Sequence, residues 1–587
     1  MKTNMILSAS GWRKVFAISG QEQDRTTLIG EENIAISIFS AIVFADYVKK
    51  QTGKENPVVI LGMDARPTGS AIAEACIKAF AAKNINVKFT GITAAPEIMA
   101  YSRMADGFMY ISASHNPVGH NGIKFGLNSG GVLNGKENAK LTAEFNALCE
   151  KDSAVKDAFD LIRNVKEDQI AQIYRTQSAV KKEALKAYYR FLKETISASQ
   201  DEQKQDEIFS ILRAAIKSRN IGVVCDMNGS ARADSVDSSF FAENGINFYA
   251  IHNKAGEIAH EIIPESENLV FCAAEMERLQ KEGHSDAVLG YMPDCDGDRG
   301  NIVYWDDKQK KAVILKAQEV FSLSVLAELS YQNWLGQKKT AVAVNCPTSM
   351  RIEEIAEKFE AAVFRAEVGE ANVVNLTGEK RSEGYNVRIF GEGSNGGTIT
   401  YPSAVRDPLN TIFAIIKILS IKELFDVWCS KNNISKIDSP SLTDILNTLP
   451  EYTTTGVSEP RAVLHIKTMN HAALKTAFQK IFQEQWKAQK VFLENYGITS
   501  FEAVITNGTK ETRNVTDYSQ SGKGGLKILF KNSRMENLAF IWMRGSGTEP
   551  VFRILCDVKG DNPEMEKALL SWETEMIQKA DEMCCSE

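Results

Sequence analysis

The sequence has few prolines, no excess of positive charge and no apolar run long enough to span a membrane. Its 587 residues include only 14 prolines, and 44% are hydrophobic against 24% charged, which excludes a disordered or collagen-like chain. The net charge of -7 gives no overall attraction to nucleic acid or to an anionic membrane. The apolar stretch at residues 36–45 is well short of the roughly 20 residues that a membrane span needs. We therefore expect neither nucleic acid nor a membrane as a partner.

Cysteine pairs and a secretory leader are also lacking. The ten cysteines are scattered, and only Cys584 and Cys585 are adjacent, so the spacing of a disulfide framework or a zinc site is absent. The opening segment, Met1 to Lys14, shows no basic region followed by an apolar stretch and a cleavage site. Both features predict reduced thiols and a cytoplasmic location.

The length and the pattern of the chain predict several α/β domains. At roughly 100 to 200 residues per domain, the chain is long enough for about three to five. Short apolar strands alternate with turns and helical segments from about residue 58, again from 221 and again from 341, whereas an α+β pattern begins after about 435. The predicted fold class is α/β, with three similar α/β units of mixed, largely parallel sheets plus a C-terminal α+β domain around a central cleft. We expect domain boundaries at 1–205 (with a helical insertion at about 134–182), 206–318, 319–435 and 436–587.

The first chemical motif is Ser112-Ala113-Ser114-His115-Asn116-Pro117, with Lys124 ten residues after Ser114. It follows a predicted buried strand and places a hydroxyl, an imidazole and an amide on one tight turn. A plain solvated turn is the alternative interpretation. A serine hydrolase is not favoured, because the Gly-x-Ser-x-Gly elbow is missing.

The second motif is Asp294-Cys295-Asp296-Gly297-Asp298-Arg299, again after a predicted strand. Three carboxylates so close together repel one another unless a cation lies between them, and hard oxygen ligands suit Mg²⁺. A calcium EF-hand loop is excluded, since it needs Gly and Glu where this chain has Arg299 and Trp305. A haloacid-dehalogenase phosphatase is disfavoured, since Asp298 stands in the place of its threonine. We predict that Asp294, Asp296 and Asp298 bind a metal.

Two glycine-rich loops complete the set. In the segment Gly391 to Gly397, Glu392 and Ser394 can form hydrogen bonds with vicinal sugar hydroxyls. Taken alone, this segment favours the alternative interpretation, a plain glycine-rich turn. The segment Arg544-Gly545-Ser546-Gly547-Thr548-Glu549-Pro550, with Arg553 beyond it, gathers hydroxyls, loop N–H groups and two guanidiniums. Such a set is typical of a cradle for a phosphate dianion.

In this order on one chain, the four motifs resemble the α-D-phosphohexomutase superfamily, which includes phosphoglucomutases and phosphomannomutases. Shorter segments add to the similarity: Ser10–Arg13, Gly62–Pro67, Asp226–Gly229 and Arg406–Leu409. The resemblance covers nearly the whole chain, apart from the insertion and parts of the region 430–500.

The resemblance implies a role for each motif. Ser114 would be the phosphoserine, and Mg²⁺ would be held by the three aspartates and by an oxygen of the phosphorylated Ser114. Lys124 and Arg13 would assist proton transfer and charge stabilisation, while His115 and Arg299 would position the reacting groups. The residues implied to bind the sugar phosphate are Glu392, Ser394, Glu370, Arg544, Ser546, Gly547, Thr548 and Arg553.

The implied activity is the interconversion of hexose 1-phosphate and hexose 6-phosphate, of glucose or mannose, through a hexose 1,6-bisphosphate that also primes the enzyme. One loop departs from the family, because Gly369-Glu370-Ala371 stands where many relatives have Gly-x-Lys. Glu370 suits an amino sugar or pairs with a neighbouring cation. Phosphoglucosamine mutase is therefore an alternative, and a non-catalytic sugar-phosphate-binding protein is an alternative of another class. We expect a monomer or a homodimer.

Overall fold

The computed structural model describes residues 1, 3–8, 10–545 and 551–586 of the chain. These residues form four β-sheets and their helices, a mixed α/β structure that confirms the predicted fold class. By its internal contacts the chain divides into two compact units: unit 1 comprises Met1–Leu315 and Ile399–Ile421, and unit 2 comprises Lys316–Thr398 and Lys422–Glu587. None of the helices so described has both the length and the hydropathy that a bilayer crossing requires.

The first sheet of unit 1 has the strands β1 (Ile6–Ser8), β2 (Gly11–Val15), β3 (Val58–Met63), β4 (Asn86–Ile92), β5 (Gly107–Ile111) and β6 (His120–Leu127). Their order is β1-β2-β6-β5-β3-β4, with β3 parallel to β4 and β5 and the other pairs antiparallel. The helices of this part are α1 (Gly30–Thr52), α2 (Gly69–Ala82), α3 (Ala95–Ser102), α4 (Gly135–Cys149), α5 (Ala154–Ile162), α6 (Glu167–Ser197) and α7 (Glu202–Arg219). Every residue of β5 is buried, as expected for a strand that is covered on both faces.

The second sheet of unit 1 has the strands β7 (Gly222–Asp226), β8 (Asn247–Ile251), β9 (Ala287–Pro293), β10 (Gly300–Asp306) and β11 (Lys311–Ile314). Their order is β11-β10-β9-β7-β8. Strand β7 is parallel to β8 and β9, and β10 is antiparallel to β9 and β11. The helices here are α8 (Asp237–Glu243) and α9 (Ser266–Lys281).

The third sheet has the strands β12 (Thr340–Asn345), β13 (Ala362–Ala366), β14 (Asn386–Glu392) and β15 (Gly397–Thr400), in the order β13-β12-β14-β15. Strand β12 is parallel to both β13 and β14. The helices of this stretch are α10 (Ala317–Trp334), α11 (Arg351–Lys358), α12 (Glu370–Ser382), α13 (Pro408–Ser420) and α14 (Lys422–Asn432), of which α13 belongs to unit 1. Helix α13 begins where Asp407 accepts a hydrogen bond from the Leu409 N–H at 3.0 Å and Pro408 occupies the first turn.

These three sheets repeat one strand order. In four consecutive strands of each sheet the order is second, first, third, fourth: β4-β3-β5-β6, β8-β7-β9-β10 and β13-β12-β14-β15. The first three strands of each set are parallel. The motifs that contain Ser114, Asp294 and Glu392 each lie at the end of the third strand, where the ligand loops of α/β sheets are found. Three chemically different motifs therefore occupy one topological position.

The fourth sheet, in unit 2, has the strands β16 (Tyr452–Thr454), β17 (Val463–His465), β18 (Ser500–Asn507), β19 (Lys510–Arg513), β20 (Gly525–Lys531), β21 (Asn537–Gly545) and β22 (Val551–Lys559). Their order is β16-β22-β21-β20-β18-β19, β17 pairs with β22, and the pairs are antiparallel. The helices are α15 (Leu442–Leu446), α16 (His471–Ala488), α17 (Lys490–Asn495) and α18 (Pro563–Ser586).

Helix α18 carries a buried acid that opposes folding. The side chain of Glu573 is fully buried, and neither of its carboxylate oxygens has a hydrogen-bond partner within the described ranges. Burial raises the pKa of Glu573 well above its ordinary value. Such a carboxyl does not lower the free energy of unfolding at pH values below about 4.3, the pKa of glutamate in the unfolded chain. As the pH rises from there toward the folded-state pKa, the free energy of unfolding falls.

We predict that Glu573→Gln removes this pH-dependent loss. Near about pH 4.5 the variant should have the same Tm as the wild type. By about pH 8 its Tm should be roughly 2 °C or more above that of the wild type, because only the glutamate must ionise there. Thermal unfolding at the two pH values measures the difference. Glu575→Gln, at an exposed position of the same helix, is the matched control and should show no such gain. A Tm difference for Glu573→Gln that does not change with pH would contradict the prediction.

Candidate active site

Ser114 lies in the loop between β5 and β6 with a strained backbone. Its φ of +55° is in the left-handed region, which non-glycine residues seldom adopt outside functional or tight turns. Its N–H donates to the Ser112 hydroxyl at 2.9 Å. The Arg66 guanidinium donates to the carbonyls of Ser114, at 2.8 Å, and Asn116. These bonds fix the direction of the Ser114 side chain.

The serine loop meets the aspartate loop within unit 1. The Ser114 hydroxyl donates to Asp294 Oδ2 at 2.7 Å, and the Ser112 hydroxyl donates to Asp296 Oδ2 at 2.9 Å. Ser114 is only 2% exposed. A serine and a carboxylate that are 180 residues apart in the chain thus share one buried place.

The three aspartates converge on a volume that suits a cation. Their ligand atoms lie within 4.8 Å of one another, and all three side chains are buried. Asp296 Oδ1 and Asp298 Oδ1 are buried without a hydrogen-bond partner in the described part of the chain. Burial, and then repulsion from the two neighbouring aspartates, raises the pKa of Asp294 to about 8. Orphaned carboxylate oxygens at such close range fit a hard divalent cation such as Mg²⁺.

Side-chain cations surround the carboxylates. Lys124 Nζ lies 2.7 Å from Asp296 Oδ2 and 3.9 Å from Asp298 Oδ2. Burial lowers the pKa of Lys124, but the two carboxylates outweigh burial and raise it, so the ammonium keeps its proton. Arg406 Nη2 donates to Asp298 Oδ2 at 3.0 Å. Arg299 Nε lies 4.0 Å from Asp294 Oδ2, and the Arg299 backbone N–H donates to Asp294 Oδ1 at 3.2 Å.

Arg13 and His115 complete this group. Arg13, on β2, interacts electrostatically with Asp296 and Arg299, and its buried Nε has no partner within the residues described. The pKa of His115 is lowered well below its ordinary value, first by Arg299 and then by burial and by Arg13. His115 is therefore a neutral imidazole, with a buried Nδ1 that has no partner in the same part of the chain.

The predicted sugar-binding residues form a second group in unit 2. Glu392 Oε1 accepts hydrogen bonds from the Gly369 N–H at 2.8 Å and from Asn345 Nδ2 at 3.2 Å. Asn345 Nδ2 also donates to the Ser394 hydroxyl at 3.1 Å. Glu370 is the first residue of α12, directly after Gly369. The loops that carry Glu370, Glu392 and Ser394 are thus joined by hydrogen bonds.

Two arginines of unit 2 lie opposite each other on adjacent strands. Arg544 on β21 is the register partner of Arg553 on β22. Arg544 Nε lies 3.3 Å from Glu367 Oε1, and Arg553 Nη1 donates to the Val457 carbonyl at 3.0 Å. Like charges directly opposite each other are unfavourable, so an anion between them is stabilising. The remaining residues predicted for this cradle, Ser546, Gly547 and Thr548, lie outside the described residues.

Sequence reasoning gave no role to several residues of these groups. Arg66 and Arg406 belong to segments that contributed only to the family similarity, although an arginine in a short motif after a strand is itself a signal. Lys475 gave no signal, because it occupies an ordinary position of α16. Its Nζ donates to the carbonyls of Gly522, at 3.0 Å, and Gly524, at 2.6 Å. Burial, and then Arg544, lowers the pKa of Lys475 to about 7.

Comparison with known proteins bears on the family resemblance. The phosphoglucomutase/phosphomannomutase family model for α/β/α domain I matches residues 13–152, and the model for domain III matches residues 321–429. A Thermococcus kodakarensis protein named phosphoglucomutase/phosphomannomutase is 24% identical over 523 residues, which cover 88% of this chain and 89% of the relative. A Methanococcus vannielii protein named phosphoglucosamine mutase is 24% identical over 372 residues, 62% of this chain and 70% of the relative.

Solved structures share the fold. The open form of Paramecium parafusin, a phosphoglucomutase, has a TM-score of 0.62 at 15% identity, covering 98% of this chain and 95% of that one. A phosphoglucomutase/phosphomannomutase family protein of Burkholderia thailandensis has a TM-score of 0.59 at 17% identity, covering 98% and 96%. The family models and the relatives confirm the resemblance to the phosphohexomutase superfamily and indicate an enzyme of that class, and the solved structures confirm the fold.

Proposed function

We propose that this phosphohexomutase interconverts the 1-phosphate and the 6-phosphate of glucose or mannose through a phosphorylated Ser114. The observation that carries the proposal is the 2.7 Å hydrogen bond from the Ser114 hydroxyl to Asp294. It places a strained, nearly inaccessible hydroxyl against a carboxylate triad with orphaned oxygens. A phosphoryl group on Ser114 would add an oxygen ligand beside the triad.

Asp294, Asp296 and Asp298 are the residues proposed to hold Mg²⁺. Bound there, the ion supplies charge neutralisation for the phosphoryl group in transfer. Four side-chain cations belong to the same group: Lys124, Arg13, Arg299 and Arg406. With Mg²⁺ bound, the positive charges of the ion and the four side chains exceed the negative charges of the three aspartates. A phosphoserine brings about -1.5 to -2 charges at neutral pH and so reduces that excess.

The phosphoryl transfer itself takes place between Ser114 and a hydroxyl of the sugar. The bond between Ser114 Oγ and phosphorus breaks while a sugar hydroxyl oxygen bonds to phosphorus, and the transition state asks mainly for in-line positioning and charge neutralisation. One proton leaves the sugar hydroxyl and one is taken up by the serine. These two proton movements cancel, so the exchange needs no net change of charge; we assign charge stabilisation to protonated Lys124 and positioning of the reacting groups to neutral His115.

The first transfer produces a hexose 1,6-bisphosphate, which turns end for end and returns its other phosphate to Ser114. A hexose 1,6-bisphosphate therefore also serves as the primer that phosphorylates the resting enzyme. We propose that the phosphate that does not react binds to Arg544 and Arg553, with Ser546, Gly547 and Thr548. Glu392, Ser394 and Glu370 are proposed to bind the sugar, the first two through its hydroxyls.

Glucosamine phosphate is the second candidate substrate, favoured by relatives named phosphoglucosamine mutase. In this chain an acidic Glu370 stands just before Ala371, in the loop where many relatives carry a lysine. A carboxylate in that loop attracts the ammonium of an amino sugar more than a lysine does.

Initial rates on three substrates identify the sugar. With Mg²⁺ and glucose 1,6-bisphosphate present, we predict that kcat/KM is highest on glucose 1-phosphate or mannose 1-phosphate. Glucosamine 1-phosphate is the third substrate, and each 6-phosphate product is quantified by mass spectrometry. A clear preference for glucosamine 1-phosphate supports the second candidate, whereas no turnover of any of the three contradicts the proposed reaction.

We predict that Ser114→Ala lowers kcat by more than about 10³-fold, because the phosphoryl acceptor is removed. Incubation with glucose 1,6-bisphosphate should add one phosphate to the wild type, located on the peptide containing Ser114 by mass spectrometry, and none to the variant. Ser102→Ala is the matched control, since the Ser102 hydroxyl is also buried but donates only to the Met99 carbonyl. Normal turnover by Ser114→Ala would exclude the phosphoserine route.

We predict that removal of Mg²⁺ with a chelator abolishes turnover and that added Mg²⁺ restores it. Asp298→Asn should raise the Mg²⁺ concentration for half-maximal rate by about tenfold or more, because one ligand charge is lost. Asp307→Asn, at an exposed acid beyond the triad, serves as the control. The triad has another role if Asp298→Asn shows the same Mg²⁺ dependence as the wild type.

A further inference from the structure

A second cluster of metal-ligating side chains lies in unit 1, at the end of β7. Asp226 Oδ1 lies 2.9 Å from His252 Nδ1, and Asp226 Oδ2 lies 2.7 Å from His260 Nε2. The ligand atoms of the three residues lie within 4.8 Å of one another. Two ligand atoms of one tetrahedral zinc ion, each about 2.1 Å from it, are about 3.4 Å apart, so small side-chain rotations bring all three atoms onto one ion.

The second ring nitrogen of His260 is held by the backbone. His260 Nδ1 lies 3.0 Å from the Glu261 carbonyl oxygen, and His260 Nε2 lies 2.7 Å from Asp226 Oδ2. With Nδ1–H donating to that carbonyl, Nε2 is the ring nitrogen available to a metal ion. Histidines that bind metals characteristically donate their other ring N–H to a backbone carbonyl in this way.

The surrounding backbone holds the cluster in place. Asn228, two residues after Asp226, accepts from the N–H groups of Ala259, at 2.9 Å, and His260, at 3.1 Å. Its amide also donates to the carbonyls of His260, at 3.3 Å, and Glu261, at 3.1 Å. The backbone of His252 has a φ of +46°, a strained conformation that presents its ring to Asp226. Such bonds fix the ligands before an ion binds.

We propose that Asp226, His252 and His260 form a second metal site, which takes a divalent transition ion such as Zn²⁺. Two imidazoles and one carboxylate suit zinc, cobalt or nickel, whereas Mg²⁺ prefers a shell of oxygens. Three protein ligands leave a coordination position open, and the His252 side chain, 36% exposed, gives the ion access from solvent.

One proposed ligand, His260, lines a cavity that also reaches the serine loop. His260 and His115 both line a cavity of about 310 Å³, and His115 follows Ser114 directly. An ion on His260 would connect the ends of β7 and β8 with the loop that lines this cavity. Metal binding by Asp226, His252 and His260 is independent of which sugar phosphate the enzyme uses.

Zinc binding by the full chain tests the proposal. The parent protein carries Cys584→Ser and Cys585→Ser to remove the two cysteines that are not fully buried, and excess Mg²⁺ fills the aspartate triad. Titration of zinc sulfate against a competing chelator should show one tight site per chain. His252→Ala should weaken binding by about tenfold or more. His284→Ala, at an exposed histidine outside the cluster, should not.

Cobalt gives a spectroscopic readout of the site in the parent protein, before any ligand is replaced. With Co²⁺ in place of zinc, the parent should show the visible absorption of a nitrogen- and oxygen-ligated ion, without sulfur-to-metal charge transfer. His260→Asn should lose that spectrum while its circular dichroism stays unchanged. Zinc should raise the Tm of the parent but not that of His252→Ala. The proposal is overturned if the parent binds no zinc above Mg²⁺, or binds it equally with and without His252.

Discussion

The candidate active site depends on keeping three buried aspartates together. Carboxylates at this range in a medium of low polarity repel one another and lose hydration, so they persist only with positive charge nearby. Lys124 and Arg406 supply part of that charge through direct contacts with Asp296 and Asp298. The oxygens that remain without partners define where a cation belongs. The Ser114 hydroxyl is bound to this same cluster, so the demand for charge and the place of the chemistry coincide.

The repeated sheet topology explains how separate segments reach their positions. In three sheets the loop after the third strand carries a candidate functional motif: the Ser114 hydroxyl in the first, the three aspartates in the second, and Glu392 with Ser394 in the third. A parallel sheet places such loops at one edge, where helices and strands fix their ends but leave the tips free to vary. One fold pattern therefore supplies different functional groups.

The fold class and the main motifs could be predicted because their signals are local. A buried strand followed by Ser114 or by Asp294 is visible in a short stretch of sequence, and the α+β pattern expected after about residue 435 corresponds to the fourth sheet and its helices. Contacts between distant residues could not be predicted. Asp298 and Arg406 are 108 residues apart, and no periodicity links them. Asp226 and His260 likewise come together only through a loop. The helical region near 134–182 extends further than expected, since α6 continues to Ser197.

The central claim is that a phosphoryl group on Ser114 and a cation on the aspartate triad share one site. Phosphorus NMR of the phosphorylated enzyme, with Mn²⁺ in place of Mg²⁺, measures this proximity directly, because a paramagnetic ion broadens only nearby nuclei. The account predicts that the phosphoserine resonance broadens strongly with Mn²⁺ and that excess Mg²⁺ restores it. A phosphoserine resonance that stays sharp while Mn²⁺ is bound to the triad would contradict the account.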